Sequence, residues 1–284
     1  MMIRAMADES TCSIRVTNSP EMLVRLLQLA SPMLPIGAFS YSSGLEAAIE
    51  AGDIHDAQSG ARWIGDVLEW NLARQDAPLV AAAHVAWTRL YAQDPDRTQE
   101  LPAPAAIMTD TQDPMHWLQQ LNDLAFATRE TAEQRLECTQ TGHSLGIWIE
   151  RSLDPSAAVL EALGALAPIA YPTAWAAAGV QLELSARDTV LGLLWGFVEN
   201  QTSALMKALP LGQTPAQRML LALGPQMERS ADEALLRASP DLGRAAVPAA
   251  SASSQDRTSV AGAMPALAIA SMRHETQYSR LFRS

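Results

Sequence analysis

One string in this chain has the spelling of a catalytic motif. Gly142-His143-Ser144-Leu145-Gly146 fits G-x-S-x-G, the nucleophile elbow that exposes a serine at a sharp turn between a strand and a helix. With Ser144 as nucleophile, Asp188 as acid and His274 as base, the chain order would be that of the α/β hydrolases. An elbow needs a buried strand in front of it. Arg129 to Thr141 (RETAEQRLECTQT) is instead a charged run of helix formers without a β-branched core. Gly142 and Gly146 are then expected to let two helices approach closely, and a serine hydrolase stands as the alternative.

Metal chemistry has little to work with. His55, His84, His116, His143 and His274 are scattered singly, and Cys138 and His143 are five apart, off one helical face. Cys12 and Cys138 are too far apart in sequence to suggest a metal motif or a disulfide framework. There is no G-x-x-x-x-G-K-[ST] string, and the only lysine is Lys207. We therefore expect no catalytic residues, no resident metal and no cofactor of the protein's own.

Charge narrows the partners. Thirty-one acidic residues against twenty basic ones give −11, with no basic block, which argues against nucleic acid. Residues 1–18 carry Arg4, Asp8, Glu9 and Arg15 and no apolar core of a secretory signal, so cytoplasmic residence is expected. Residues 162–180 are uncharged, but Pro168 and Pro172 interrupt an alanine- and glycine-rich stretch. That pattern predicts two buried helix ends meeting at a tight turn, not a membrane span.

The elements that must position these groups are helices. Ser19-Pro20, Asp113-Pro114, Asp154-Pro155 and Thr214-Pro215 read as cap-and-proline starts, and Asp56 and Asp76 as further N-caps. Ser185 with Asp188 reads as an approximate capping box. Trp63, Ile64, Val67, Leu68 and Leu72 mark one helical face; Val80, Ala83, Trp87, Leu90 and Tyr91 mark another. No long alternating strand pattern occurs. The expectation is an all-α, single globular domain of about nine to ten helices over 19–237, after a disordered N-terminus at 1–18. A surface insertion at 93–112 and a flexible linker at 238–265, both rich in turn and small residues, complete the body and lead to a docking tail at 266–284.

The tail ends in HETQYSRLFRS. Tyr278, Leu281 and Phe282 lie at helical i, i+3, i+4 spacing, and Arg273, Arg280 and Arg283 supply planar donors. It either docks on a partner or packs back on its own domain. Two loops also invite contact. In SPMLPIGAFSYSSGLEAAIEAG, Phe39 and Tyr41 are core anchors or contact residues, and Glu46 either caps the following helix or receives a partner's arginine. In LPLGQTPAQ, Pro210 and Gly212 make a corner where Gln213 and Gln217 sit beside Lys207.

Together, SPMLPIGAFSYSSGLEAAIEAG, RETAEQR at Arg129 to Arg135, LPLGQ at Leu209 to Gln213 and HETQYSRLFRS resemble the urease accessory protein UreF family. The resemblance spans most of the chain, and 93–112 and 238–265 look like local extensions. It implies an all-α homodimer, a chaperone and not an enzyme, acting in nickel insertion into apo-urease. The implied partners are a UreD-type (UreH-type) scaffold and the GTPase UreG, with nickel handled by the complex. By that resemblance Arg273, His274, Tyr278, Arg280, Leu281, Phe282 and Arg283 would contact the UreD-type protein. Phe39, Tyr41, Glu46, Lys207 and Gln213 would face the GTPase. A helical adaptor unrelated to nickel is the remaining alternative.

Overall fold

The computed structural model describes residues 19–93, 113–238 and 264–283. The expected disordered N-terminus lies outside them, as do the insertion and the linker apart from Gln93, Ala238, Met264 and Pro265. Among the described residues there are eleven α-helices and no strands. They are α1 (Pro20–Leu29), α2 (Leu45–Glu50), α3 (Ala57–Val67), α4 (Asp76–Ala92), α5 (Pro114–Ala127) and α6 (Ala132–Ser152). There follow α7 (Ala157–Ala165), α8 (Tyr171–Gln181), α9 (Ala186–Ala208), α10 (Gln213–Arg237) and α11 (Pro265–Glu275). A π-turn at Leu68–Leu72 prolongs α3, and a 3-10 turn at Ala38–Ser40 precedes α2. No described helix is long and apolar enough to cross a membrane.

Local chemistry sets many of the starts. Ser19 accepts from the Met22 N–H, Asp113 from those of Met115 and His116, and Ser185 from that of Asp188. Asp56 and Ser59 form a reciprocal box at the start of α3. Three of the expected starts shift. Ser156, not Asp154, precedes α7, because Asp154 sits at φ +47 in the turn. Gly212 precedes α10, which leaves Thr214 and Pro215 inside its first turn. Gln75 precedes α4, because the Asp76 carboxylate is held by Arg129 from across the fold.

The core forms around α4 and α8. Every residue of α4 from Ala77 to Thr88 is buried, and every residue of α8 from Pro172 to Val180. A helix apolar all round belongs in the interior, so the single α4 face expected from Val80, Ala83 and Trp87 understates its burial. Alanine and glycine bring these backbones close enough for polar ties between elements. The Trp87 indole donates to the Thr173 carbonyl and that of Trp175 to the Thr189 carbonyl. His84 hydrogen-bonds the Leu184 carbonyl, and burial pushes its imidazole down to about 4. It is a core histidine held neutral.

Residues 162–180 form the expected pair of helix ends, α7 finishing at Ala165 and α8 opening with Pro172 in its first turn. Gly142 meets this turn. A Cβ there would lie 2.2 Å from the Ile169 carbonyl oxygen, so only glycine lets α6 lie against the entry to α8. At Gly146 the corresponding contact is an ordinary 3.9 Å.

Candidate functional site

The tail folds back onto the body at one place, over α2 and the start of α6. α11 reaches α2 closely because Gly44, at φ +82, bears no side chain: a Cβ would meet the Ser271 nitrogen at 3.2 Å and Ala270 Cβ at 3.3 Å. Thr131 and Ser271 hydroxyls then bond at 2.7 Å. Glu275, at the end of α11, accepts the Ala132 N–H at 3.0 Å and the Glu133 N–H at 3.4 Å. The tail thereby places a carboxylate on free N–H groups of α6, where the helix dipole favours negative charge.

At the centre of the contact is His274, fully buried. Its Nδ1 lies 3.0 Å from Glu133 Oε1 and its Nε2 3.2 Å from Glu46 Oε2. The Glu46 carboxylate also accepts the backbone N–H groups of Leu281 at 2.7 Å and Phe282 at 3.1 Å. The Arg283 N–H donates to the Ser40 carbonyl at 2.8 Å. Arg280 donates to the carbonyls of Glu275 and Gln277, and its guanidinium lies 3.4 Å from Glu133. One glutamate on α2 and one on α6 thus hold the chain on both sides of its last turn.

This geometry revises the expected aromatic stripe. α11 ends at Glu275, and residues 276–283 run irregularly: the Thr276 and Gln277 N–H groups turn back to the Arg273 and His274 carbonyls, and those of Leu281, Phe282 and Arg283 go to Glu46 and Ser40, not into an i−4 ladder. Phe282 is buried, and Lys207 Nζ sits 5.4 Å from its ring centroid. Tyr278 and Leu281 face outward, with Arg273 and Arg283 also exposed. Tyr41 is buried and donates to Gln140; burial pushes its phenol up, against the pull of Arg283 beside it. Phe39 is half-buried on the 3-10 turn, and Gln213 is exposed at the start of α10. Residues attributed by resemblance to two different partner surfaces therefore converge: Tyr41, Glu46 and Lys207 all meet the tail.

The residues that sequence reasoning missed are Glu133, Glu275, Ser271 and Gly44. Glu133 lies inside the RETAEQR string and Glu275 follows His274, but nothing local pairs them across more than 140 positions.

Behind this seat is a cavity of about 110 Å³ between the π-turn, α6, α9 and α11. Arg129 forms a two-point ion pair with Asp76 at its edge, at 2.6 and 3.2 Å, and is raised further by that carboxylate despite its burial. Burial pushes Glu137 up to about 7 and also raises the Cys138 thiol and the Tyr171 phenol. A raised thiol is a poor nucleophile.

No group of three or more metal-ligating side chains occurs among the described residues. Ser144 lies in the middle of α6, with no strand before it. Both His274 nitrogens are engaged by glutamates, and Asp188 is engaged by Ser185, so the hydrolase order is not assembled. What the site is built to do is hold an irregular peptide segment in one shape.

The sequence model of the family described as UreF matches residues 54–224. A protein named urease accessory protein UreF from Cupriavidus taiwanensis is 43% identical over 262 residues, 92% of this chain and 97% of its own. One of the same name from Azoarcus sp. is 40% identical over 267 residues, 92% and 95% of the two chains. A third, from Methylibium petroleiphilum, is 39% identical over 263 residues, 92% and 94%. A family match over more than half the chain, relatives near 40% identity across nearly their full length and an all-α fold agree: this chain belongs to the UreF family.

Proposed function

We propose that this protein is a urease accessory chaperone needed for nickel insertion into the urease active site, and that its folded tail is the docking face for a UreD-type scaffold. The observation that carries the reading is how the tail is used. Its backbone and His274 are consumed by Glu46, Glu133 and Ser40, while four apolar side chains, Ile269, Met272, Tyr278 and Leu281, are left exposed. Tyr278 is fully exposed. A protein that orders a segment and then presents large apolar groups on it has made a surface for another chain.

The nearby corner of Lys207 and Gln213 is the surface we assign to the GTPase of the UreG type. Phe39, Tyr41 and Glu46 act there by shaping the loop and the tail end. The nucleotide chemistry belongs to that GTPase, nickel is cargo of the complex, and a homodimer presents two such surfaces. The protein acts by positioning, with no catalytic step of its own.

Titration of a species-matched UreD-type protein tests the docking face. The double substitution Tyr278→Ser, Leu281→Ser removes two exposed side chains whose burial is worth on the order of 1.5 to 3 kcal/mol each before ordering costs. Affinity is expected to fall by at least about tenfold, with helical circular dichroism unchanged. Equal affinity for the variant and the parent chain would remove the tail from the interface.

A further inference from the structure

His274 stands between two carboxylates in a buried site: its side chain is 0% exposed, and those of Glu46 and Glu133 only 8% and 10%. Nδ1 faces both oxygens of Glu133, at 3.0 and 3.2 Å, and Nε2 faces Glu46 at 3.2 Å. A neutral imidazole has one N–H and one bare lone pair, and an ionised carboxylate only accepts. With the ring neutral and both glutamates ionised, a lone pair would lie against a carboxylate oxygen whichever nitrogen carried the hydrogen. The contacts are all bonds only with one more proton on the three groups, as an imidazolium that donates twice or as a carboxylic acid that donates to the bare nitrogen.

The surrounding groups agree with that count. α2 presents Glu46 to the ring and α6 presents Glu133, while the tail brings Arg280, 3.4 Å from Glu133. The other polar groups nearby are spent elsewhere. Glu275 accepts from N–H groups at the start of α6, the Thr131 and Ser271 hydroxyls bond each other, and Lys207 of α9 sits over the Phe282 ring. Two carboxylates are thus balanced by Arg280 and the extra proton; without that proton the buried cluster keeps an uncompensated negative charge, which is costly.

We propose that one shared proton latches the tail: Glu46, Glu133 and His274 hold it while the tail is docked and lose it when the tail lifts off. Lifting puts these groups in water, where a glutamate ionises at about 4.3 and an imidazole loses its proton at about 6.5. Above about 7 the docked state therefore binds one proton more than the open state, and docking weakens roughly tenfold for each pH unit. Below about 6 both states carry the proton, and the dependence flattens. The latch makes the shape of the tail, and so its exposed face, a function of pH. The inference concerns the chain alone and does not rest on the identity of any partner.

Hydrogen–deuterium exchange of the full chain at pH 7.5 and pH 8.5, corrected for the chemical exchange rate of each amide, tests it. The tail amides of 265–283 are expected to exchange roughly tenfold faster at pH 8.5, and a change under about twofold would overturn the latch. Amides within α4 are expected not to change. Glu133→Gln puts an amide where the proton is needed: its N–H donates to the bare imidazole nitrogen, and its carbonyl still accepts from Arg280. The tail of this variant is expected to stay protected to the same degree at both pH values. A pH dependence that persists in it would overturn the proposal. Should the variant release its tail or fail to fold, nitrogen-15 imidazole and carbon-13 carboxyl NMR of the wild type decides. An extra proton on the three groups at pH 7 supports the latch; a neutral ring between two ionised carboxylates refutes it.

Discussion

Glu46→Ala is expected to free the tail and to weaken binding of a UreD-type partner by about 100-fold or more, although Glu46 is buried. The carboxylate accepts two backbone N–H groups and faces His274, and its removal leaves all three without that acceptor. Hydrogen bonds to a charged acceptor are worth about 1.5 to 3 kcal/mol each. Losing even two exceeds the roughly 2.7 kcal/mol that corresponds to 100-fold. Limited proteolysis should cut after Arg273 or Arg280 in the variant and spare the parent. Glu50→Ala, an exposed glutamate on the same helix, is the control and should change neither readout. A Glu46→Ala chain that keeps both its protease resistance and its partner affinity would show that the seat does not hold the tail.

The second large effect is on stability. Arg129→Ala strands the Asp76 carboxylate, only 14% exposed, and removes the one cation beside Glu137 that opposes its desolvation among the groups acting on it. Breaking a buried ion pair by removing one partner costs about 3 to 5 kcal/mol, because the remaining charge is left uncompensated. Thermal unfolding should therefore shift down by several degrees, and the double variant Arg129→Leu, Asp76→Leu should recover much of the loss. If the single variant melted within a degree of the parent, Arg129 would be a surface residue in practice.

These two residues also mark where the sequence could and could not be read. Ser19, Asp56, Asp113 and Ser185 were legible because a cap acts on N–H groups two or three positions away. Asp76 has the same local look, but its carboxylate is claimed by Arg129, 53 positions on, and a neighbouring glutamine precedes the helix instead. Glu46 sits in the first turn of its helix as a capping residue would, yet it serves the tail from 235 positions away. The spacing of Tyr278, Leu281 and Phe282 suggested a helix, and the backbone was diverted by Glu46 and Ser40. Helical class and the two buried ends around Pro168 were visible because periodicity and proline act locally. The site was not, because each of its bonds closes a long loop.

If the tail makes nickel-site assembly possible, a chain without it cannot mature urease, and complementation measures that most directly. Cells carrying a species-matched urease operon without its UreF-type gene would receive this chain or one ended at Met264, and urease activity and nickel occupancy would be measured. The full chain is expected to restore both and the shortened chain neither, with both chains soluble and helical. Restoration by both chains would contradict the role given to the tail; restoration by neither would contradict the urease function itself.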